Sequence, residues 1–268
     1  MPTTDMRLAR ALLAGALFAT TFMPAHAQTA PEAAVVSASG PVQPPEILEP
    51  DAAQALDRMG AYLRNLNRFE VTSNGSIDML FSGSRKLQFG MRTTYQVQAP
   101  RWMRIDIETD RQNRRIYYDG ETITFAGLST KKYLSIPQSG SIASVLTEAS
   151  DRFGIEFPLQ DLFRWGDPSS NVQTPKSGFL VGDSRVNGVP ADHYAFRQGG
   201  ADFQLWIGKD KPLPLKLVIT STENPAQPQV ATTFEWNLEP KFGARDFTFV
   251  PEAGWQKIDL NALKASAN

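Results

Sequence analysis

The stretch from Ala99 to Pro137 constrains the fold of this chain more than any other. It reads APRWMRIDIETDRQNRRIYYDGETITFAGLSTKKYLSIP. Short strand-like runs follow one another in it: Trp102–Glu108, Arg114–Tyr118, Glu121–Ala126 and Lys131–Ile136. Met103, Ile105 and Ile107 alternate with Arg104, Asp106 and Glu108, so one face is apolar and the other charged. Asp119-Gly120 between two runs is a two-residue hairpin signal, because a tight primed turn needs residues that tolerate positive φ. Consecutive antiparallel strands with one dry and one wet face are expected.

The same alternation recurs on both sides. Leu87, Phe89, Met91, Tyr95 and Val97 alternate with Gln88, Gly90, Arg92, Gln96 and Gln98. Phe69 and Val71, then Ile77 and Met79, flank Asn74-Gly75, a second hairpin signal. Phe179–Val186 and Val189–Arg197 flank Asn187-Gly188, a third. Phe203, Leu205 and Ile207, then Leu213, Leu215, Leu217 and Ile219, then Val230, Thr232, Phe234, Trp236 and Leu238 continue the pattern. Phe247 and Phe249 close the domain before Pro251.

Helical spacing appears in two places. Ala52, Ala55, Leu56, Met59, Leu63 and Leu66 predict a helix over Asp51–Leu66, started by Pro50-Asp51. Ile142, Val145, Leu146, Ala149 and Phe153 predict a second, with Ser141 as cap and Gly154 as terminator. Pro158 then opens a short further helix, Leu159–Trp165, bearing Leu162, Phe163 and Trp165. Roughly ten strands with sequential turns and one apolar face must curve and bury that face. The fold class expected is mainly β (α+β): a strongly curved antiparallel sheet forming a half-open barrel. An N-terminal helix and a mid-chain helical lid cover it.

Residues 1–27 read as a cleaved signal peptide: Arg7 and Arg10, an apolar run from Ala11 to Met23, and the small-x-small site Ala25-His26-Ala27. Residues 28–50 form a Pro/Ala-rich linker, 51–260 the domain and 261–268 a tail. The expected location is the periplasm, in soluble form. Export permits disulfides, yet the chain has no cysteine, so the fold rests on burial, and no lipid-modified cysteine can anchor it. A formal net charge of −1 gives no reason to expect nucleic acid or an anionic membrane as a partner. Arg111, Arg114 and Arg115 cluster near Asp110 at a turn. This is read first as a solvated hairpin tip, then as a contact with an acidic partner or lipid headgroups, which allows peripheral membrane contact. A monomer is expected.

Catalytic chemistry finds little support. His193 is the only histidine beyond the leader, too few for a metal site built from His and Cys. Asp192 neighbours it, but sequence neighbours on a strand point to opposite faces, so no triad forms that way. No Gly-x-Ser-x-Gly elbow is present. Asp106 and Glu108 share a face with Arg104 and read as a charge-balanced surface. No catalytic residue, metal or cofactor is expected. Fourteen of the sixteen phenylalanines lie beyond the leader and, with Tyr118, Tyr133, Trp165, Trp206, Trp236 and Trp255, fill either a solid core or an apolar cavity.

The pattern Pro-x-aromatic-x-Arg at Pro100–Arg104, then Asp119-Gly120 with an aromatic after it, then a closing strand, resembles the heart of the periplasmic lipoprotein-carrier superfamily, the LolA/LolB-like fold. From about Pro50 to Ile258 the chain is similar to a family of predicted periplasmic proteins of unknown function assigned to that fold. The resemblance implies a half-barrel around helices and a cavity for acyl chains. In the carriers the residue before the motif's proline is an arginine that helps hold the lid closed; here it is Ala99, so that lock is not carried over. Arg104 and Asp119-Gly120 match the pattern and read as structural. The implied cavity lining is Leu87, Phe89, Met91, Met103, Ile105, Ile107, Leu146, Phe163, Leu205, Leu217, Phe234 and Trp236. The expected function is non-enzymatic binding of a lipid, acyl chain or lipidated peptide. The alternative is an envelope protein–protein interaction module with a solid core; an esterase-like hydrolase comes last.

Overall fold

The computed structural model describes residues 47–81, 85–153 and 174–259. The leader, most of the linker, the Leu159–Trp165 helix with Phe163, and the tail lie outside the described residues. Helix α1 spans Pro50–Arg64 and helix α2 spans Ile142–Phe153. The strands are β1 Arg68–Phe81, β2 Arg85–Gln98, β3 Trp102–Thr109, β4 Asn113–Tyr118, β5 Thr122–Gly127 and β6 Lys132–Pro137. After α2 come β7 Ser177–Val186, β8 Val189–Gln198, β9 Ala201–Gly208, β10 Pro214–Ser221, β11 Gln229–Asn237 and β12 Gln256–Lys257.

All twelve belong to one sheet, in the order β12-β6-β5-β4-β3-β2-β1-β11-β10-β9-β8-β7. It is a curved, mostly antiparallel open sheet with two helices, as the alternation implied. Only the short β12 lies parallel, on β6. The strand order is not one continuous meander. One meander runs outward from β1 to β6, the other inward from β7 to β11, and β1 pairs with β11 to join them. The chain between β6 and β7 therefore passes from one side of the sheet to the opposite edge, and α2 lies on that path.

Asn74-Gly75 is not a turn. Both residues sit mid-strand in β1, paired with Arg92 and Met91 on one side and Thr233 and Thr232 on the other. The glycine serves close approach instead: a Cβ there would lie 2.1 Å from the Ala231 carbonyl oxygen. Asp119-Gly120 is not a two-residue primed turn either. A three-residue loop, Asp119–Glu121, joins β4 to β5, and Gly120 alone of the three has positive φ, at 98°. Asp119 contributes its side chain: Oδ1 accepts from the backbone N–H of Glu121 at 3.0 Å and of Thr122 at 2.8 Å. Asn187-Gly188 does form the primed turn, with φ of 49° and 83°. Phe247 ends a 3-10 turn, Ala244–Phe247, not a strand, and is fully buried against Trp102, ring centroids 5.9 Å apart.

Both helix starts follow from local chemistry. Pro50 opens α1, and Ser141 Oγ accepts from the Ser144 N–H at 3.2 Å to cap α2. Residues Ile47–Glu49, assigned to the linker, are held on β7: Glu49 N–H donates to Gly178 O at 2.9 Å and Gly178 N–H to Ile47 O at 3.1 Å. One buried cluster unites the sheet's inner face with both helices, through Ala52, Leu56, Met59 and Leu63 of α1 and Val145 of α2.

Two glycine substitutions check this architecture. Gly75→Ala should lower unfolding free energy by about 1–3 kcal/mol, since the new methyl meets backbone and not a yielding side chain. Gly120→Val should cost a similar ~1–3 kcal/mol from strain at positive φ. Denaturant titration measures both. An unchanged midpoint for Gly75→Ala would show that β1 and β11 do not pair in this register.

Candidate functional site

The candidate site is the concave face of the sheet. Directly paired residues share a face, so the register maps it. One row runs Val71, Tyr95, Ile105, Ile116 and Phe125 across β1 to β5. The next runs Phe69, Val97, Met103, Tyr118 and Ile123. In the other meander, Leu217 pairs with Leu205 and Leu205 with Tyr194, while Ile219 pairs with Phe203 and Phe203 with Phe196. Phe196 and Phe203 stack at 4.8 Å, and Phe69 meets Trp236 at 5.8 Å. Between the two halves lies a strip of small side chains, Ser73, Gly75, Thr93 and Thr232.

The residues read as a lining fall into groups. Met103, Ile105, Leu205, Leu217 and Phe234 are buried in the shared cluster. Ile107, Leu146 and Trp236 are half-buried against it. Met91 and Phe89 are half-buried, and Leu87 is 46% exposed. Burial thus falls off along β2, leaving apolar face uncovered at one end. Phe163 is outside the described residues.

Polar groups on this face are few. Tyr118 is fully buried and donates its hydroxyl to Gly140 O at 2.7 Å, just before α2, and Ile142 N–H donates to Pro100 O at 2.8 Å. The start of α2 is thereby tied to the β3–β4 side. Burial raises the phenols of Tyr95, Tyr118 and Tyr194 above their ordinary values, so all stay neutral. The Thr93 hydroxyl is buried with no hydrogen-bond partner among the described residues.

Arg114 is the residue whose placement the sequence reading missed. It pairs with Ile107 and Gly127 and so lies on the apolar face; its side chain is exposed, yet partial desolvation beside that face lowers its guanidinium pKa. It donates to Gln112 Oε1, 2.8 Å from Nε. Its parity with Ile116 and Tyr118 was the available signal. Arg115 points the other way and binds Asp106 at 3.2 Å, beside the Arg104–Asp106 pair at 2.7 Å. The arginines around this turn are therefore not one basic patch.

The convex face carries His193. Its ring stacks on Trp206 at 3.9 Å, and Nε2 lies 3.0 Å from Gln204 Oε1. Lys216 sits over the other aromatic, its Nζ 4.5 Å from the Trp206 ring centroid. Asp192 lies on the opposite face and binds Lys209 at 3.1 Å. Among the described residues no cluster of three or more His, Asp or Glu could hold a metal ion.

The sheet thus keeps an apolar concave face that its two described helices cover only in part. The chain belongs to the DUF2092 family of predicted periplasmic proteins, whose model matches residues 52–261. That membership assigns it to the periplasm. No curated protein matches it. Among solved structures it is similar to an uncharacterized conserved protein from Thermus thermophilus, with TM-score 0.44, 14% identity, 78% of this chain and 98% of that one. It is also similar to a chain of the Pseudomonas aeruginosa MucA/MucB complex, with TM-score 0.41, 20% identity, 71% of this chain and 59% of that one. A LolA superfamily protein from Nitrosomonas europaea matches with TM-score 0.31, 10% identity, 73% of this chain and 96% of that one. Within the described residues no helix is long and apolar enough to cross a membrane.

His193 offers a pH test of this face. Burial chiefly, then Lys216, lowers its pKa, against the raising effect of Gln204. A depressed value means that the unfolded chain binds the proton more readily. The group's stability contribution is therefore present above about pH 6.5 and lost as pH falls through the folded value. NMR titration of the imidazole should give a midpoint below about 6.5. His193→Gln should lose less stability than wild type on acidification. A midpoint above the ordinary value would contradict the stacked, half-buried environment.

Proposed function

We propose that this protein is a non-enzymatic periplasmic binding protein that holds a lipid, acyl chain or lipidated peptide on the concave face of its half-barrel. The observation that carries the reading is the unfinished burial of that face. Met103, Ile105, Leu205 and Phe234 are covered, but the same apolar face continues through Met91 and Phe89 to Leu87, which is exposed. An apolar surface of that kind is stabilised by a hydrocarbon partner, each sequestered methylene contributing about 0.8 kcal/mol. Arg114, on the same face and exposed, supplies a cation for a carboxylate or phosphate at the ligand's polar end. Helix α2 is the movable cover: it sits on the connection between opposite sides of the sheet, its start is tied to Pro100 and, just before it, Gly140 to Tyr118, and Glu148 accepts from Gln138.

A second reading has its own observation. Phe179, Leu180 and Val181 are 50%, 44% and 50% exposed on β7, the last strand of the sheet. A protein partner adding a strand there would make the molecule an envelope interaction module.

Leu146→Ser separates the two readings. Leu146 is half-buried on α2 against the cluster. If α2 covers a ligand, the variant should weaken binding of a fluorescent acyl probe about tenfold while its cooperative melt persists, because the strand ladders do not pass through the helix. A wild-type protein that takes up no acyl probe would overturn the carrier reading and favour the β7 partner.

A further inference from the structure

We infer that the lipid held on this face, granted the function proposed above, is an anionic phospholipid: its phosphate seats between Arg114 and Lys132, and an acyl-ester carbonyl accepts from the Thr93 hydroxyl. The register places these groups in one row. Ser73 pairs with Thr93, Thr93 with Ile107, Ile107 with Arg114, Arg114 with Gly127 and Gly127 with Lys132. Directly paired residues share a face, so all six lie on the concave side. Burial falls along the row. Ser73 and Thr93 are 2% and 0% exposed, Ile107 and Gly127 are half-buried, and Arg114 and Lys132 are exposed. The row thus runs from the covered interior to the rim.

Each end of the row has an unmet demand. At the rim, Arg114 donates to the neutral amide oxygen of Gln112, and neither Arg114 nor Lys132 has an ion pair among the described residues. Gly127 between them carries no side chain, and the Thr130 hydroxyl stands in that place, where a Cβ would lie 2.6 Å from its oxygen. A hydroxyl and not a hydrocarbon therefore separates the two cations. No concave position of β1 to β6 carries a carboxylate, so these strands leave both cations open to an anion. Inside, Ser73 Oγ donates to the Thr93 carbonyl at 3.4 Å, while the Thr93 hydroxyl has no partner among the described residues. A buried donor without an acceptor costs stability, and a valine of the same shape would avoid that cost. A ligand lying beneath the helices can supply the acceptor. Thr93 and Arg114 are two strands apart, roughly 10 Å. A ligand that serves both needs an anion and, a few bonds away, a carbonyl set in hydrocarbon. A glycerophospholipid has that arrangement, whereas a fatty acid spends its one polar group at the rim and leaves the hydroxyl unmet. Two cations on separate strands also suit a phosphate, whose oxygens point several ways, better than a flat carboxylate.

Titration of the protein purified from the periplasm with a pyrene-labelled phosphatidylglycerol, and with the matching pyrene-labelled fatty acid, tests this. Phosphatidylglycerol should bind about tenfold more tightly than the fatty acid. Arg114→Gln with Lys132→Gln should weaken phosphatidylglycerol about tenfold with an unchanged melt, because both side chains are exposed. Thr93→Val should weaken phosphatidylglycerol about fivefold, leave the fatty acid unchanged and raise the unfolding midpoint of the ligand-free protein, while Thr93→Ser should keep the wild-type affinity. Three results would overturn the inference and leave the lipid-holding function standing: equal binding of the two lipids, wild-type phosphatidylglycerol affinity in Thr93→Val, or a lowered midpoint in that variant, which would make the hydroxyl structural. Uptake of neither lipid would overturn both.

Discussion

The pairing of β1 with β11 is the interaction on which the rest of this structure depends. Two meanders that are far apart in sequence become one sheet only through those strands, from Glu70–Asn237 to Ile77–Val230. The strip of small residues follows from it. With glycine at position 75, the Ala231 carbonyl and Thr232 approach where any larger residue would strike them. Once the two halves are joined, β6 and β7 stand on opposite sides of the strand order, and α2 follows β6 in the connection between them. The cover over the concave face is thus a consequence of strand order.

The sheet, its apolar inner face and both described helices were legible in the alternation and the helical spacing, because those depend on neighbours in sequence. The buried members of the expected lining, such as Met103, Ile105, Leu205 and Phe234, follow from parity alone. Strand order was not legible, since no local signal says that β1 lies beside β11. For the same reason Asn74-Gly75 looked like a turn: a glycine needed for close approach to another strand is locally the same as one needed for positive φ. Arg114 was grouped with Arg111 and Arg115 by nearness in sequence, although strand parity puts Arg114 and Arg115 on opposite faces.

The two faces divide the chemistry. The convex side is closed by partners within the chain: Arg104 and Arg115 on Asp106, and His193 and Lys216 against Trp206. The concave side is buried under α1 and α2 at one end and open along β2 at the other. Burial there keeps its tyrosines neutral, so the face presents mostly hydrocarbon and neutral hydroxyls, with Arg114 and Asp192 among its few charged groups. On the proposed function, such a surface would bind by sequestering apolar area and orient a ligand through few polar groups.

The central claim is that this face holds a hydrocarbon ligand. Native mass spectrometry of protein purified from the periplasm without detergent tests it most directly, followed by solvent extraction of the same sample. The carrier account predicts a species heavier than the polypeptide by one acyl-bearing molecule, returning to the bare mass after extraction. A bare polypeptide throughout, which also gains no mass when phospholipid or fatty acid is added, would contradict it.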